Sequence, residues 1–162
     1  MTPAIKALQA LAIDHRILHY EIDSTAADDE HNLGMAAARV MGLDSAQVFK
    51  TLIAELDAGQ LACAVLPVDR TLRLKSLARA AAVKSAKLAD RSAAERATGY
   101  VTGGISPFGH RQSIPIYLAR QALDFDVIYV SASKRGLELA VATGDMISCC
   151  AAEVCDLVSQ SD

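Results

Sequence analysis

Lys50 sits where a charge is least expected. In Val48-Phe49-Lys50-Thr51-Leu52-Ile53 a two-residue period puts Val48, Lys50 and Leu52 on one face of a strand and Phe49, Thr51 and Ile53 on the other. Both faces are mostly apolar, so the ammonium must reach water, meet an anion or lose its charge. It reads either as an anion-binding or carbonyl-polarising lysine or as a strand-end lysine that snorkels outward. Taken alone, the second is the commoner arrangement.

A second candidate is the loop Thr102-Gly103-Gly104-Ile105-Ser106-Pro107-Phe108-Gly109. Paired glycines remove the Cβ atoms that keep a ligand off the backbone, so their N–H groups can face an oxyanion or a phosphate. No Gly-Lys-Ser/Thr follows, which excludes a Walker loop, and no strand–GxGxxG–helix unit is present, which excludes a dinucleotide fingerprint; taken alone, the loop is more often an ordinary turn. A third is Ser131-Ala132-Ser133-Lys134-Arg135-Gly136, polar residues and two cations after the strand Val127–Val130. By itself it is also a plain hairpin turn.

Familiar catalytic sets are missing. There is no G-x-S-x-G elbow. His15 and His19 are spaced for a metal on a helix, but a strand is predicted to begin between them and no Cys or acidic partner completes a motif. No metal site or cofactor is expected. The cysteines Cys63, Cys149, Cys150 and Cys155 have no zinc spacing and no adjacent base. Cys149, Cys150 and Cys155 read as the buried side of the last helix, and His110 as a surface residue beside the glycine loop.

These residues need elements to hold them. Thr2-Pro3 predicts a capped first helix with Ile5, Leu8 and Ala12 on one face. A strand is expected over Arg16 to Ile22, then the acidic Asp28-Asp29-Glu30, then a helix through Leu33, Ala36, Ala37, Val40 and Met41 that stops at Gly42. Phe49 to Leu56 and Leu61 to Leu66 form a hairpin around Asp57-Ala58-Gly59-Gln60. Helices are predicted over Lys75 to Ala82 and, capped by Asp90, over Arg91 to Ala97, with a short strand between them in Val83 to Leu88. Strands recur at Ile114–Leu118, Asp126–Ala132 and Leu137–Val141, and Thr143-Gly144-Asp145 opens the last helix. Strict βαβ alternation is absent. The pattern predicts a single α/β domain over residues 1–162 with a mixed, curved, partly barrel-like sheet flanked by helices.

Composition agrees and adds limits. The 162 residues are 52% apolar and 22% charged, which excludes disorder, and length points to one domain. Thirty alanines, no tryptophan and three phenylalanines require a core filled largely by small side chains. Charges interrupt every apolar run before the roughly 20 residues of a membrane span, and the N-terminus lacks the pattern of a signal peptide. Reduced thiols and a cytoplasmic location are expected. The net charge of −3 hides a basic segment: residues 69–96 hold eight Lys/Arg against three Asp/Glu. Arg73, Lys75, Arg79 and Lys84 within it are candidate contacts for a phosphate backbone, although such a run is also an ordinary solvated face.

Several of these signals coincide in one family. The strings Val48-Phe49-Lys50-Thr51-Leu52, Ala64-Val65-Leu66-Pro67-Val68, Thr98-Gly99-Tyr100 through Phe108-Gly109, and Ile128-Tyr129-Val130-Ser131 through Glu138 fall in order across nearly the whole chain. With them the sequence resembles the YbaK-type Cys-tRNA(Pro) deacylases, free-standing relatives of the editing domain inserted in bacterial prolyl-tRNA synthetases. The resemblance implies hydrolysis of cysteine mischarged onto tRNA(Pro), with aminoacylated tRNA and prolyl-tRNA synthetase as partners. It puts the motif lysine at Lys50, with Thr51 after it, a pocket tyrosine at Tyr20 and a pocket serine at Ser131. Gly103 and Gly104 would approach the substrate carbonyl and ribose. Glu138 stands where Asp is common, and its longer side chain would place the carboxylate differently. His110-Arg111 replaces the expected amide and lysine. In this family the substrate thiol is thought to attack its own carbonyl and release a thiolactone, which explains why no triad is needed. Two alternatives stay open: water-driven deacylation of Ala-tRNA(Pro) or another small amino acid, and a non-catalytic module that binds tRNA or a synthetase.

Overall fold

Thr2 starts the first helix as its chemistry dictates: its Oγ1 accepts a hydrogen bond from the Ile5 N–H at 3.3 Å, and Pro3 occupies the first helical position. A computed structural model describes residues 1–22, 30–133 and 136–159. Along it run α1 (Pro3–Ala10), β1 (His15–His19), α2 (Glu30–Met41), β2 (Phe49–Leu56), β3 (Leu61–Pro67), α3 (Leu74–Ala80), β4 (Ala86–Leu88) and α4 (Arg91–Thr98). They are followed by β5 (Ile116–Ala119), a 3-10 turn (Arg120–Asp124), β6 (Val127–Ser131), β7 (Leu137–Ala142), α5 (Thr143–Cys150) and β8 (Glu153–Cys155).

The hairpin β2–β3 matches its prediction, with Phe49 opposite Pro67 and Glu55 opposite Leu61. Other elements shift. The first strand ends at His19, one residue before the Tyr20 N–H bonds the Gly136 carbonyl in the same register. Asp90 precedes α4 without capping it through its side chain. Cys155 belongs to β8, a strand the sequence did not reveal, and so does not share a helix with Cys149 and Cys150. His110 is partly buried, its Nε2 2.7 Å from the Ser106 carbonyl oxygen. The acidic stretch at 28–29 and the cations Lys134 and Arg135 lie outside the described residues.

The single, partly barrel-like sheet is not what forms. Among the described residues there are two sheets, a three-stranded antiparallel one ordered β1-β7-β6 and a five-stranded mixed one ordered β4-β2-β3-β5-β8. Closure would need a continuous ladder. The two sheets instead meet at one parallel bridge, Val48 to Tyr129. The Tyr129 N–H donates to the Gln47 carbonyl at 3.1 Å and the Gln47 side-chain amide donates to the Val127 carbonyl at 2.7 Å.

The core divides the same way. Its main cluster packs Phe49, Leu66, Leu77, Leu118, Ile128 and Leu139 among fully buried alanines such as Ala54, Ala64, Ala119 and Ala122. A smaller cluster of Ala38, Val48, Val68, Tyr129 and Ala140 fills the seam where α2 covers the junction of the sheets. Among the described residues no helix is long and apolar enough to cross a membrane.

Candidate active site

A cleft of about 570 Å³, measured to its open mouth, lies on that seam. Three walls have separate origins. The five-stranded sheet contributes Lys50, Thr51 and Leu52 from β2, with Val48 and Val68 beside them. The three-stranded sheet contributes Ser131 and Glu138, together with Tyr20, the residue after β1, held beside β7 by its N–H bond to the Gly136 carbonyl. Helix α2 and the glycine loop close it with Leu33, Gly34, Ala37, Gly103 and Ile105. Tyr20, Lys50, Thr51, Gly103, Ser131 and Glu138, all singled out from the sequence, therefore share one cavity.

Strand parity sets the β2 wall. Phe49, Thr51 and Ile53 are buried toward the main core, whereas Lys50 and Leu52 are half-buried and look to the other face. Lys50 is therefore tied into the cleft and does not hang off a strand end. Thr51 is 9% exposed, and its Oγ1 is buried without a hydrogen-bond partner. Such an oxygen costs on the order of 1–3 kcal/mol unless a partner is supplied.

Pairing sets the opposite wall. Ser131 and Glu138 face each other across β6 and β7, and Leu18 lies opposite Glu138 on β1. The Ser131 hydroxyl donates to the Gly104 carbonyl at 3.3 Å and accepts from the Ser133 N–H at 3.0 Å, which ties the sheet to the glycine loop. Glu138 is 5% exposed, and burial raises its carboxyl to about 8. At neutral pH it is mostly the protonated acid, a hydrogen-bond donor within an apolar setting.

The loop itself is tightly laced. The Tyr100 hydroxyl donates to the Phe108 and Gly109 carbonyls. The Thr102 N–H bonds Glu95 Oε2 at 2.8 Å, and the Arg111 and Gln112 N–H groups return to Thr98 and Ala97. Gly103 has φ +95°, a left-handed conformation that favours glycine, and its position faces Leu33 of α2. Gly104 does not line the cleft, and its N–H is spent on the Val101 carbonyl at 2.9 Å. In this conformation that N–H points away from the cleft's lining and into the turn. Gly103 and Ile105 both line the cleft, and neither N–H has an acceptor among the described residues.

Sequence reasoning missed the floor. At Gly34 a Cβ would stand 2.7 Å from Val68 Cγ1, so glycine lets α2 lie directly on the strand end. A glycine inside a helix costs about 1 kcal/mol relative to alanine, and that cost was the available signal. The basic candidates lie elsewhere. Arg73, Lys75, Arg79 and Lys84 are exposed on α3 and the turn after it, outside the cleft, and make no ion pair among the described residues. Among the described residues no histidine and no cysteine lines the cleft. Cys149 and Cys150 border a different groove that shares no lining residue with it.

Fold and cleft together define a mixed α/β domain with a small, largely apolar pocket set between a lysine strand and a glycine loop. The model of the aminoacyl-tRNA editing domain matches residues 28–149, and the chain belongs to that family. It is 32% identical over 134 residues to a protein of Enterococcus faecalis, EbsC, named as a candidate Cys-tRNA(Pro)/Cys-tRNA(Cys) deacylase; the match covers 83% of this chain and 81% of that protein. Among solved structures, the hypothetical protein APE2540 superposes with a TM-score of 0.84 at 22% identity, covering 97% of this chain and 99% of that one. A candidate trans-editing enzyme for prolyl-tRNA synthetase superposes with a TM-score of 0.80 at 18% identity, covering 97% and 95%. These two likenesses show the fold.

Proposed function

We propose that the protein is a trans-editing deacylase that removes cysteine mischarged onto tRNA(Pro). The observation that carries this reading is the convergence of Lys50, Gly103, Ser131 and Glu138 on one small cleft that has no histidine or cysteine among its described lining residues. An aminoacyl ester is already activated, and a cysteinyl ester brings its own nucleophile. The substrate sulfur attacks its carbonyl carbon, the C–S bond forms, and the ester C–O bond breaks. The tRNA hydroxyl leaves with the proton the thiol gives up, and the strained thiolactone released hydrolyses in water to cysteine. The protein's part is to fold the thiol toward the carbon and to stabilise the oxyanion.

Residue roles follow from position. Lys50 orients the terminal nucleoside or its phosphate as a point charge. Gly103 and Ile105 supply N–H groups to the carbonyl oxygen. Glu138, protonated at neutral pH, donates to the substrate alongside Tyr20 and Ser131, and Thr51 gains the partner it lacks. The floor of Leu33, Gly34, Ala37, Val48 and Val68 accepts a small side chain such as a thiomethyl group and offers a hydroxyl no bond. The name of the Enterococcus relative supports the substrate, and the trans-editing structure supports prolyl-tRNA synthetase as a partner. The site of action is proposed to be the cytoplasm, where tRNA is charged.

The test is a panel of tRNA(Pro) charged with cysteine, alanine or serine, with and without the synthetase. Rapid release from the cysteinyl ester alone is expected. Equal release from the alanyl ester would replace cyclisation by attack of water.

A further inference from the structure

The cleft does not stop at Thr51. Thr51, Leu52 and Ile105 also border a second groove, about 510 Å³ to its mouth, whose far side is formed by Leu88, Arg91 and Thr102. Three features set this groove apart. Two buried hydroxyl oxygens without partners, Thr51 Oγ1 and Thr102 Oγ1, belong to residues that line it. Leu88 lies on the edge strand β4 and is 55% exposed, an apolar surface largely open to solvent. Arg91 is exposed and makes no ion pair among the described residues, while Glu95 on the same helix is engaged by the Thr102 N–H. Arg91 is the one cation among the described residues lining the groove, and it belongs to the basic segment.

We infer that this groove seats the nucleotide immediately 5′ of the esterified terminal nucleoside. An apolar plate, the unpartnered Thr102 hydroxyl and a guanidinium with no ion pair among the described residues match the three parts of a nucleotide: base face, polar edge and phosphate. The shared wall of Thr51, Leu52 and Ile105 makes the two cavities consecutive, as a strand leaving the cleft requires. Leu88 covers the base, Thr102 bonds its edge or the sugar, and Arg91 takes the phosphate. The inference rests on the deacylase reading and adds where the rest of the acceptor strand goes.

Three cysteinyl esters test it: on adenosine, on the dinucleotide CpA, and on tRNA(Pro). Relative to adenosine, the dinucleotide should be hydrolysed by the wild type with kcat/KM about tenfold higher, the lower end for one hydrogen bond to a charged group. In Arg91→Ala and Leu88→Ser that advantage should fall to about twofold or less, through KM, with the adenosine ester hydrolysed as before. Thr102→Val should lose part of it. Because Arg91 and Leu88 are exposed, an unchanged melting temperature should accompany the loss. Equal wild-type rates on adenosine and CpA esters, or variants that slow both esters alike, would overturn the second seat and leave the deacylase standing. No hydrolysis of any of the three would overturn the deacylase reading, and this one with it.

Discussion

The two sheets divide the labour of the molecule unequally. In the five-stranded sheet the inner strands are almost wholly interior: β3 is buried from Ala62 to Pro67, and β5 exposes little beyond part of Tyr117. In the three-stranded sheet β1 is largely exposed and only β6 and β7 have buried centres. Yet the thin sheet supplies Ser131 and Glu138 to the cleft, together with Tyr20 just after β1, against Lys50 and Thr51 from the thick one. Polar groups sit where the fold has least packing at stake, and the well-packed sheet offers one cation at the end of its hairpin. The exception is Glu138, a carboxyl buried at 5% exposure, whose cost is met by staying protonated.

The sharpest way to break this comparison is to exchange the two kinds of damage. Leu118→Ala, at a fully buried position of β5, should lower stability by about 2–5 kcal/mol with kcat unchanged below the unfolding transition, as read by denaturant melts and deacylation assays. Lys50→Ala should do the reverse, cutting deacylation by about 100-fold or more with little change in the melt. If Lys50→Ala unfolds the chain, the thick sheet does not merely lend its lysine. A smaller effect belongs to Glu138. Its raised carboxyl contributes stability that is full below the ordinary value of 4.5 and is lost as pH climbs through about 8. Glu138→Gln, which keeps a donor, should flatten the decline of melting temperature across that window, and an unchanged decline would move the titrating group elsewhere.

Two weaker effects sharpen the boundary of the site. Neutralising Arg73, Lys75, Arg79 and Lys84 together should weaken tRNA binding and reduce its salt slope by up to about 0.7 per charge. An unchanged slope would return those residues to a solvated face. Cys63→Ser and Cys149→Ser should leave deacylation within about twofold of wild type, since neither thiol lines the cleft. Cys63→Ser should still cost about 1–3 kcal/mol of stability, because a hydroxyl would replace a fully buried thiol.

Much of this was legible in the sequence, for identifiable reasons. The alternation around Lys50 and the turn Asp57–Gln60 are local signals, and the hairpin they predict is present residue for residue over Phe49–Leu56. The glycine pair was visible, but its division of labour was not. Whether Gly104 can offer its N–H depends on a turn to Val101, and sequence spacing does not encode it. Likewise β8 pairs with β5 in parallel, a non-local contact that leaves only three residues of weak pattern at Glu153–Cys155. The separation into two sheets turns on a single bridge at Val48 and Tyr129, where continuous alternation on either side reads as one curved sheet. The family strings recovered the pocket because they span the seam.

The approach of α2 to Val68 has one more consequence. With no Cβ at position 34, the helix rests against the strand end as a ruler lies against a stop, and the 2.7 Å that a methyl group would find there leaves no tolerance. Any side chain larger than hydrogen must lift that wall while the other two, fixed by sheet ladders, stay where they are. The width of the cleft at its floor is therefore gauged by a single hydrogen atom.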